Sequence, residues 1–351
     1  MTRSRRFLPV ALSVLLAACQ ATNRDAGSAA QRAGTEVTLA FWNVENLFDA
    51  DDDPANPGDD EYLPDKGWTA QRYATKLEHL ATEIASESPH VIGFAEVENE
   101  RVLRDLFARK ELAAHDWTIV HRESADTRGI DLALAFRAPF RLAAGGDAVT
   151  LHPVNRDGTR PSRGVLEVRL LAEDRPLSVL VNHWPSRGSD RDGSFRKIAG
   201  AVCRSVCDAT RARESAAGRE ADLVLMGDLN DDPWDVSVVE SLGAVRSLNA
   251  AQNRRDGAAL WNASWRIAAE PDLGTLYYNP AWTWNVFDQL IVSRGLLDEA
   301  GFAYVADSLR VHAPDHMRDH LRRPRWFRKN REGEWTEGYS DHFMIVARLR
   351  Y

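Results

Sequence analysis

Cysteine is scarce in this chain, which has three cysteines among 351 residues. Cys19 follows the N-terminal apolar run, and the other two, Cys203 and Cys207, lie four residues apart on a predicted helix. An oxidising compartment permits a disulfide, but a spacing of four on a helix is unfavourable geometry for one. We therefore expect two small buried side chains that face a sheet. The sequence pattern of a thiol enzyme or a zinc site is absent.

Long apolar runs are also absent after the N-terminus, so no later stretch of the sequence predicts a membrane span. Residues 7–16 are apolar but too short to span a bilayer, and three arginines precede them, as in a secretory signal peptide. The run ends in Leu-Ala-Ala-Cys, which resembles the bacterial lipobox and favours cleavage before Cys19 and lipidation there. A plain signal peptide is the alternative. We expect an exported lipoprotein that faces the periplasm or the cell exterior.

An excess of basic residues is lacking as well. The chain has 44 Lys and Arg against 52 Asp and Glu. Removal of residues 1–18 takes away three arginines and no acid, which leaves a net charge of about −11. This balance excludes a general polyanion binder. Residues 19–36 have the composition of a flexible tether. No second linker or repeat follows in the sequence, so we expect one domain over residues 37–351. We also expect the protein to be a monomer.

The chain does contain a series of apolar runs that end in polar side chains. The run 223–226 leads through Gly227 to Asp228 and Asn230, which project from the same side of an extended strand. Each such position has a structural explanation when taken alone, such as an Asx turn or a salt-bridged acid. Together they favour one shared cleft. The other positions of this kind are Asn43, Glu96, His183, Asp288, Asp341 and His342.

Carboxylates suited to metal ions occur at two places. Glu96 and Glu98 are two residues apart on a predicted strand, so we expect them to share one face. A hard metal ion or a salt bridge would offset the cost of burying them. Residues 49–65 form an acidic loop whose oxygen atoms suit Ca²⁺. The spacing of this loop does not match an EF-hand, and a solvated surface loop is the favoured interpretation.

Basic residues that could bind a phosphate follow the run that ends at His183. Arg187 and Arg196 would either clamp a phosphate or belong to a solvated loop. Residues 318–331 contain seven Arg and Lys around Trp326 and Phe327. This composition suits a phosphate-bearing substrate whose other groups stack on aromatic rings. The alternative is a surface loop whose aromatic side chains pack onto the body of the protein.

These residue types suit metal-assisted attack of water on a phosphate ester, which needs hard oxygen ligands for Mg²⁺ or Mn²⁺, a base and an acid. Their order along the chain resembles that of the endonuclease/exonuclease/phosphatase superfamily, which has the DNase I-like fold. The resemblance covers nearly all of the chain after the tether. It implies an α/β (α+β) four-layer α/β/β/α sandwich of two mostly antiparallel sheets. The motifs that carry it are Phe41-Trp42-Asn43, Gly93-Phe94-Ala95-Glu96, Asn182-His183, Gly227-Asp228-Leu229-Asn230, the stretch 288–293 and Ser340-Asp341-His342.

The resemblance also implies roles for individual residues. It makes Glu96 the principal Mg²⁺ ligand, with Asn43 beside it and Asp341 close to the metal. It makes His342, oriented by Asp288, the histidine that acts on the attacking water or on the phosphate. The remaining roles it implies are alignment of the nucleophile and grip on the phosphate by Asp228 and Asn230, and assistance to the leaving group by His183.

The expected activity is that of a metal-dependent nuclease or phosphodiesterase acting outside the cytoplasm. A phosphatase or phospholipase-type hydrolase of lipid or sugar phosphates is the alternative, and a non-catalytic binding protein is a third possibility that the intact motifs disfavour. Residues 184–188 differ from the corresponding loop of abasic-site repair enzymes. An exported lipoprotein is also a poor place for genome repair.

Overall fold

The computed structural model describes residues 34–351 except positions 55, 157, 159, 255, 280 and 299. The chain from Thr35 to Tyr351 forms one compact unit. The predicted signal peptide (1–18), the predicted lipidation site Cys19 and the predicted tether up to residue 33 lie outside the described residues. No helix in the described part combines the length and the apolar character that crossing a membrane would need.

Strands alternate with a few helices along the described chain. The strands are β1 (Glu36–Leu47), β2 (Val91–Val97), β3 (Thr118–Arg122), β4 (Asp131–Phe136), β5 (Phe140–Leu142), β6 (Val149–His152), β7 (Asn155–Arg156), β8 (Arg160–Pro161), β9 (Val165–Ala172), β10 (Arg175–His183), β11 (Leu223–Asp228), β12 (Ala244–Val245), β13 (Leu260–Asn262), β14 (Leu276–Tyr278), β15 (Thr283–Asn285), β16 (Asp288–Ser293), β17 (Ala303–Tyr304), β18 (Arg310–His312) and β19 (Met344–Arg350). The α-helices are α1 (Ala70–Glu87), α2 (Glu100–Phe107), α3 (Ser194–Ala216), α4 (Leu248–Gln252) and α5 (Trp265–Ala268).

Two mixed sheets make up the body of the protein. The first sheet has seven strands in the order β17-β19-β1-β2-β4-β3, with β18 also paired to β19. The second has eight strands in the order β12-β13-β16-β11-β10-β9-β5, with β6 also paired to β9. The pairs β1–β2, β10–β11 and β12–β13 are parallel, and the other pairs within these sheets are antiparallel.

Strand β1 illustrates how the sequence produces the layers. Leu39 and Phe41 belong to the core between the two sheets, whereas Ala40 and Trp42 belong to a second core beneath α1 and α2. Successive strand residues point to opposite faces, so an uninterrupted apolar run can serve both cores. A third core lies between the second sheet and α3. The predicted four-layer α/β/β/α sandwich is confirmed.

The two described cysteines lie in this third core. Cys203 and Cys207 are free and buried on the face of α3 that packs on the second sheet. The Cys203 thiol donates to Asn182 Oδ1 over 2.8 Å. Burial raises the pKa of the Cys207 thiol to about 12. Both cysteines are therefore packing residues, as the sequence predicts.

Local sequence determines where several elements begin. Strand β4 begins at Asp131, after a turn in which Gly129 has a φ of 62°. Strand β16 begins at Asp288, two residues into the apolar run that starts at Val286. Thr69 caps α1, and its hydroxyl accepts from the Arg72 N–H over 3.2 Å.

Candidate active site

Strand ends of both sheets meet at one edge of the sandwich. His183 is paired with Asp228 in register, and Asp228 with Asp288, so three neighbouring strands of the second sheet place polar side chains side by side. The ends of β1 and β2 and the start of β19 lie opposite, in the first sheet. Together they border a cleft of about 650 Å³, whose lining includes Glu96, His183, Asp228, Asn230, Asp341 and His342.

A buried imidazole joins the two sheets. His342, two residues before β19, donates from Nδ1 to Asp288 Oδ2 over 2.7 Å, and its Nε2 lies 3.7 Å from Asp228 Oδ2. Burial alone would lower the pKa of His342, but Asp288 and Asp228 outweigh it and raise that pKa well above its ordinary value. Burial raises the pKa of Asp228 to about 7, against the opposing effect of His342. Near neutral pH the imidazole therefore keeps its proton, while Asp228 can gain or lose one.

Two asparagines hold Asp228 in place. The Asn43 amide donates to Asp228 Oδ2 over 3.1 Å, and its own oxygen accepts from the Glu45 N–H over 3.1 Å. The Asn230 N–H donates to Asp228 Oδ1 over 2.9 Å, while its side-chain amide donates to the carbonyl of Trp184. Asn230 has a φ of 49°, a left-handed conformation that asparagine tolerates. Asn43 thus contacts Asp228 directly, and both ends of its amide are engaged.

His183 lies between the two predicted carboxylates. Its Nε2 is 3.5 Å from Asp228 Oδ2 and 3.7 Å from Glu96 Oε1. Burial lowers the pKa of His183 well below its ordinary value, and the nearby Arg163 and Arg128 add to the shift. The imidazole is therefore neutral near pH 7 and can exchange a hydrogen bond with a bound phosphate ester.

Glu96 and Glu98 do not share a face, contrary to the sequence prediction. The pairing of β2 shifts register between Ala95 and Val97, and Glu96 has a φ of 65°. This bulge turns Glu96 into the cleft, where its Oε2 accepts from the Asn46 N–H over 3.1 Å. Glu98 instead accepts from the backbone of the loop that follows β1. A bulge next to a site commonly redirects a side chain in this way.

Glu45 is a site residue that the sequence reasoning missed. It is 2 % exposed, and its Oε1 accepts no hydrogen bond from the described residues. Burial raises the pKa of Glu45 to about 8, and Asp341 adds to the shift. The guanidinium of Arg328 lies 3.4 Å from Glu45 and 3.3 Å from Asp341. The sequence signal that could have found it is a carboxylate two residues after Asn43.

The carboxylates of Glu45, Glu96 and Asp341 fit a hard divalent cation. All three raise the pKa of the Tyr62 hydroxyl after the larger effect of burial, so they act on one region. Among the described residues, Oε1 of Glu45 accepts no hydrogen bond and has only the Arg328 guanidinium at 3.4 Å, so it is an oxygen that such an ion could bind. The carboxylate oxygens of these three residues do not all lie within 4.8 Å of one another. Two other groups of acidic or histidine side chains in the described chain do meet that distance.

Of the three predicted substrate-binding residues, two line the cleft and one does not. Trp326 lines the cleft and Arg328 stacks on its ring at 4.2 Å, whereas the neighbouring Phe327 packs inward. Arg187 also lines the cleft, but three aspartates bind its guanidinium at 3.4, 3.0 and 2.7 Å. Arg196 is buried and paired with Asp190 and Asp231, and the structure does not bring it to the cleft. Its geometry does not support the expected phosphate contact.

Comparisons with known proteins agree with this geometry. The profile of the Endonuclease/Exonuclease/phosphatase family matches residues 38–351. Among curated protein sequences, none matches significantly. TDP2 of D. rerio, solved with a single-strand DNA product, is similar with a TM-score of 0.54 and 14% identity over 90% of this chain and 100% of that one.

Two further solved structures are similar to this chain. A mannosyl-6-phosphatase of Bacteroides thetaiotaomicron has a TM-score of 0.52 and 16% identity, covering 90% of this chain and 100% of that one. The catalytic domain of human Nocturnin, solved with a bound sulfate, has a TM-score of 0.50 and 16% identity, with 90% and 94% covered. At these identities the similarity establishes the shared fold.

Proposed function

The chain belongs to the endonuclease/exonuclease/phosphatase family, and from that premise we propose that it is a divalent-metal-dependent phosphodiesterase that hydrolyses nucleic acid. The observation that carries the proposal is the chain of contacts Asp288–His342–Asp228 at the floor of the cleft. A bound Mg²⁺ or Mn²⁺, held by Glu96 with Glu45 and Asp341, would supply Lewis-acid stabilisation of the phosphate oxygens.

Three side chains would supply the acid–base chemistry and the stabilisation of charge. Asp228, with a pKa of about 7, can accept a proton from water near neutrality, where a general base is most effective. His342, whose pKa is raised by Asp288 and Asp228 against the effect of burial, remains an imidazolium and can stabilise negative charge that develops on the phosphate. His183 is neutral, and its Nε2 lies 3.5 Å from Asp228 Oδ2, where it can assist the leaving oxygen.

The cleft wall favours nucleic acid over a small phosphate. Tyr277, Tyr278 and Trp326 line it together with Arg323 and Arg328. Aromatic faces stack on bases and basic groups follow the phosphate backbone. The TDP2 structure, which holds a single-strand DNA product, is consistent with this choice.

A phosphomonoesterase is the second candidate. The mannosyl-6-phosphatase with the same fold supports it, as does the shielding of Arg187 by aspartates, which reduces the net positive charge of the cleft. We further propose that the protein is monomeric, and that it is exported and anchored through Cys19. Membrane fractionation of a Cys19→Ser variant tests the anchor, and its retention in the membrane would contradict it.

The deciding experiment is a hydrolysis screen of the purified protein with Mg²⁺ or Mn²⁺. Single-stranded DNA, duplex DNA, RNA, a generic phosphodiester and sugar and lipid phosphates are compared, with a His342→Ala variant as control. Cleavage of nucleic acid that EDTA and the variant both abolish is the expected result. Release of phosphate from sugar or lipid esters alone would replace the nuclease with the phosphatase, and a lack of any hydrolysis would favour a binding protein.

A further inference from the structure

Outside the cleft, three aspartates of the loop between β1 and α1 gather at one point. Asp52, Asp59 and Asp60, here called the aspartate cluster, each place one carboxylate oxygen within 4.8 Å of the other two. Asp52 and Asp60 are exposed, whereas Asp59 is 2 % exposed. Gly58 makes this possible, because a Cβ at that position would lie 1.9 Å from the carbonyl oxygen of Arg128. The close approach brings Asp59 against the body of the protein.

Asp59 has a buried carboxylate oxygen with no protein partner. Its Oδ2 accepts from the Asp53 N–H over 2.7 Å. Its Oδ1 is buried and accepts no hydrogen bond from the described residues. A buried anionic oxygen without a donor loses its hydration and gains nothing in return. A bound cation would remove that cost.

The basic residues near the aspartate cluster are engaged with other acids. Arg101 lies 2.6 Å from Asp51 and 3.6 Å from Asp49, and Lys329 lies 3.6 Å from Glu61. Within the described ranges, no Lys or Arg forms an ion pair with a member of the cluster. The protein therefore brings three carboxylates together without supplying a matching positive charge.

We propose that the aspartate cluster is a Ca²⁺ site, separate from the catalytic cleft. Ca²⁺ accepts six to eight oxygen ligands in a flexible geometry, so carboxylates, loop carbonyls and waters can together complete its shell. Mg²⁺ requires a tighter octahedron and gives up its own waters reluctantly. A loop that offers one buried and two exposed carboxylates suits the larger ion.

Binding at this site would order one wall of the cleft. Tyr62, two residues after the cluster, stacks on Phe48 at 4.3 Å, and its ring centroid lies 6.1 Å from that of Trp335. Lys329 forms an ion pair with Glu61, which lies next to Tyr62. Trp335 and Lys329 belong to the chain between β18 and β19, which also contains Trp326 of the cleft wall. Calcium would therefore stabilise the wall without taking part in the chemistry.

Calcium binding to the purified protein tests the proposal, measured by titration calorimetry and by the thermal midpoint in the presence of saturating Mg²⁺. We expect one Ca²⁺ to bind with a Kd between about 10⁻⁵ and 10⁻³ M. Asp59→Asn and Asp60→Asn should each weaken binding at least tenfold (about 1.4 kcal/mol). Without calcium, Asp59→Asn should match or exceed the wild-type midpoint, because the buried charge is gone.

Two control variants separate this site from others. Asp65→Asn removes an exposed carboxylate of the same loop, and Glu96→Gln removes the proposed catalytic ligand. Both should retain the calcium response. The proposal is overturned by absence of calcium binding, by binding that only Glu96→Gln abolishes, or by displacement of Ca²⁺ at equal concentrations of Mg²⁺. A failure of the hydrolysis screen leaves each of these readouts intact.

Discussion

Asp288 belongs to the second sheet and His342 leads into the first, and the 2.7 Å hydrogen bond between them joins the two sheets at the cleft. Asp288 begins β16 of the second sheet, and His342 lies two residues before β19 of the first. The contact fixes which imidazole nitrogen faces Asp288 and which faces Asp228. Orientation of the histidine therefore depends on a residue 54 positions away in sequence.

Replacing Asp288 with asparagine should lower turnover by about 10²- to 10⁴-fold with little change in KM. The substitution preserves shape but removes the charge that raises the pKa of His342, so the imidazole should lose its proton at a lower pH. The pH–rate profile checks this, because its alkaline limb should move to lower pH. A variant with reduced turnover but an unchanged limb would mean that Asp288 acts only through packing.

Glu96→Gln should reduce Mg²⁺-dependent turnover by orders of magnitude and weaken Mn²⁺ binding, while the fold is retained. Glu98→Gln is the matched control, because the bulge in β2 directs Glu98 away from the cleft. Steady-state kinetics and Mn²⁺ titration of both variants provide the measurement. Near-wild-type rates for Glu96→Gln would remove it from the metal site.

The raised pKa of Glu98 should make the free energy of unfolding depend on pH. Its folded pKa of about 7 is above its ordinary value of 4.5, so the folded state holds a proton that the unfolded state releases. The stabilisation is complete below about pH 4.5 and is lost as the pH rises to about 7. Glu98→Gln should therefore increase the free energy of unfolding by up to ~3 kcal/mol above pH 7 and leave it unchanged below pH 4.5.

Urea unfolding in EDTA at the two ends of this range measures the difference. EDTA keeps divalent ions away from the acidic loop, so the comparison reports on the proton alone. An equal stability change at both ends would assign the effect of the substitution to packing rather than to ionisation.

Trp326 should contribute to binding of nucleic acid rather than to the chemical step. Trp326→Ala should raise KM for single-stranded DNA about tenfold, since stacking on a base is worth about 1–3 kcal/mol. Trp282→Ala is a suitable control, because Trp282 is 72% exposed and does not line the cleft. Equal effects of both substitutions, or an unchanged KM for Trp326→Ala, would argue against a stacking role.

The sequence predicted most of the site because strand periodicity determines where side chains point. Asn43, His183 and Asp228 end apolar runs, and parallel neighbouring strands bring such ends to one edge. Asp288 follows from the same rule, because its antiparallel strand begins where the strand of Asp228 ends.

The directions in which some site residues point could not be obtained from strand periodicity. The sequence predicts Glu96 as a site residue, but Glu96 and Glu45 have left-handed backbone conformations, with φ of 65° and 52°, which the alternation of an ideal strand does not anticipate. The environments of Arg187 and Arg196 depend on aspartates more than thirty residues away, such as Asp231. Contacts of that kind are set by tertiary packing.

Because Asp288 begins a strand of one sheet and His342 leads into a strand of the other, the core between the sheets determines the geometry of this pair. Asp288 can orient His342 only while side chains such as Phe41 and Met226 keep the sheets in register. A slip of one sheet over the other by about 1 Å would lengthen the hydrogen bond and misalign the reacting groups. Activity should therefore decline on heating before secondary structure is lost. Loss of activity would then measure loosening of the packing between the two sheets.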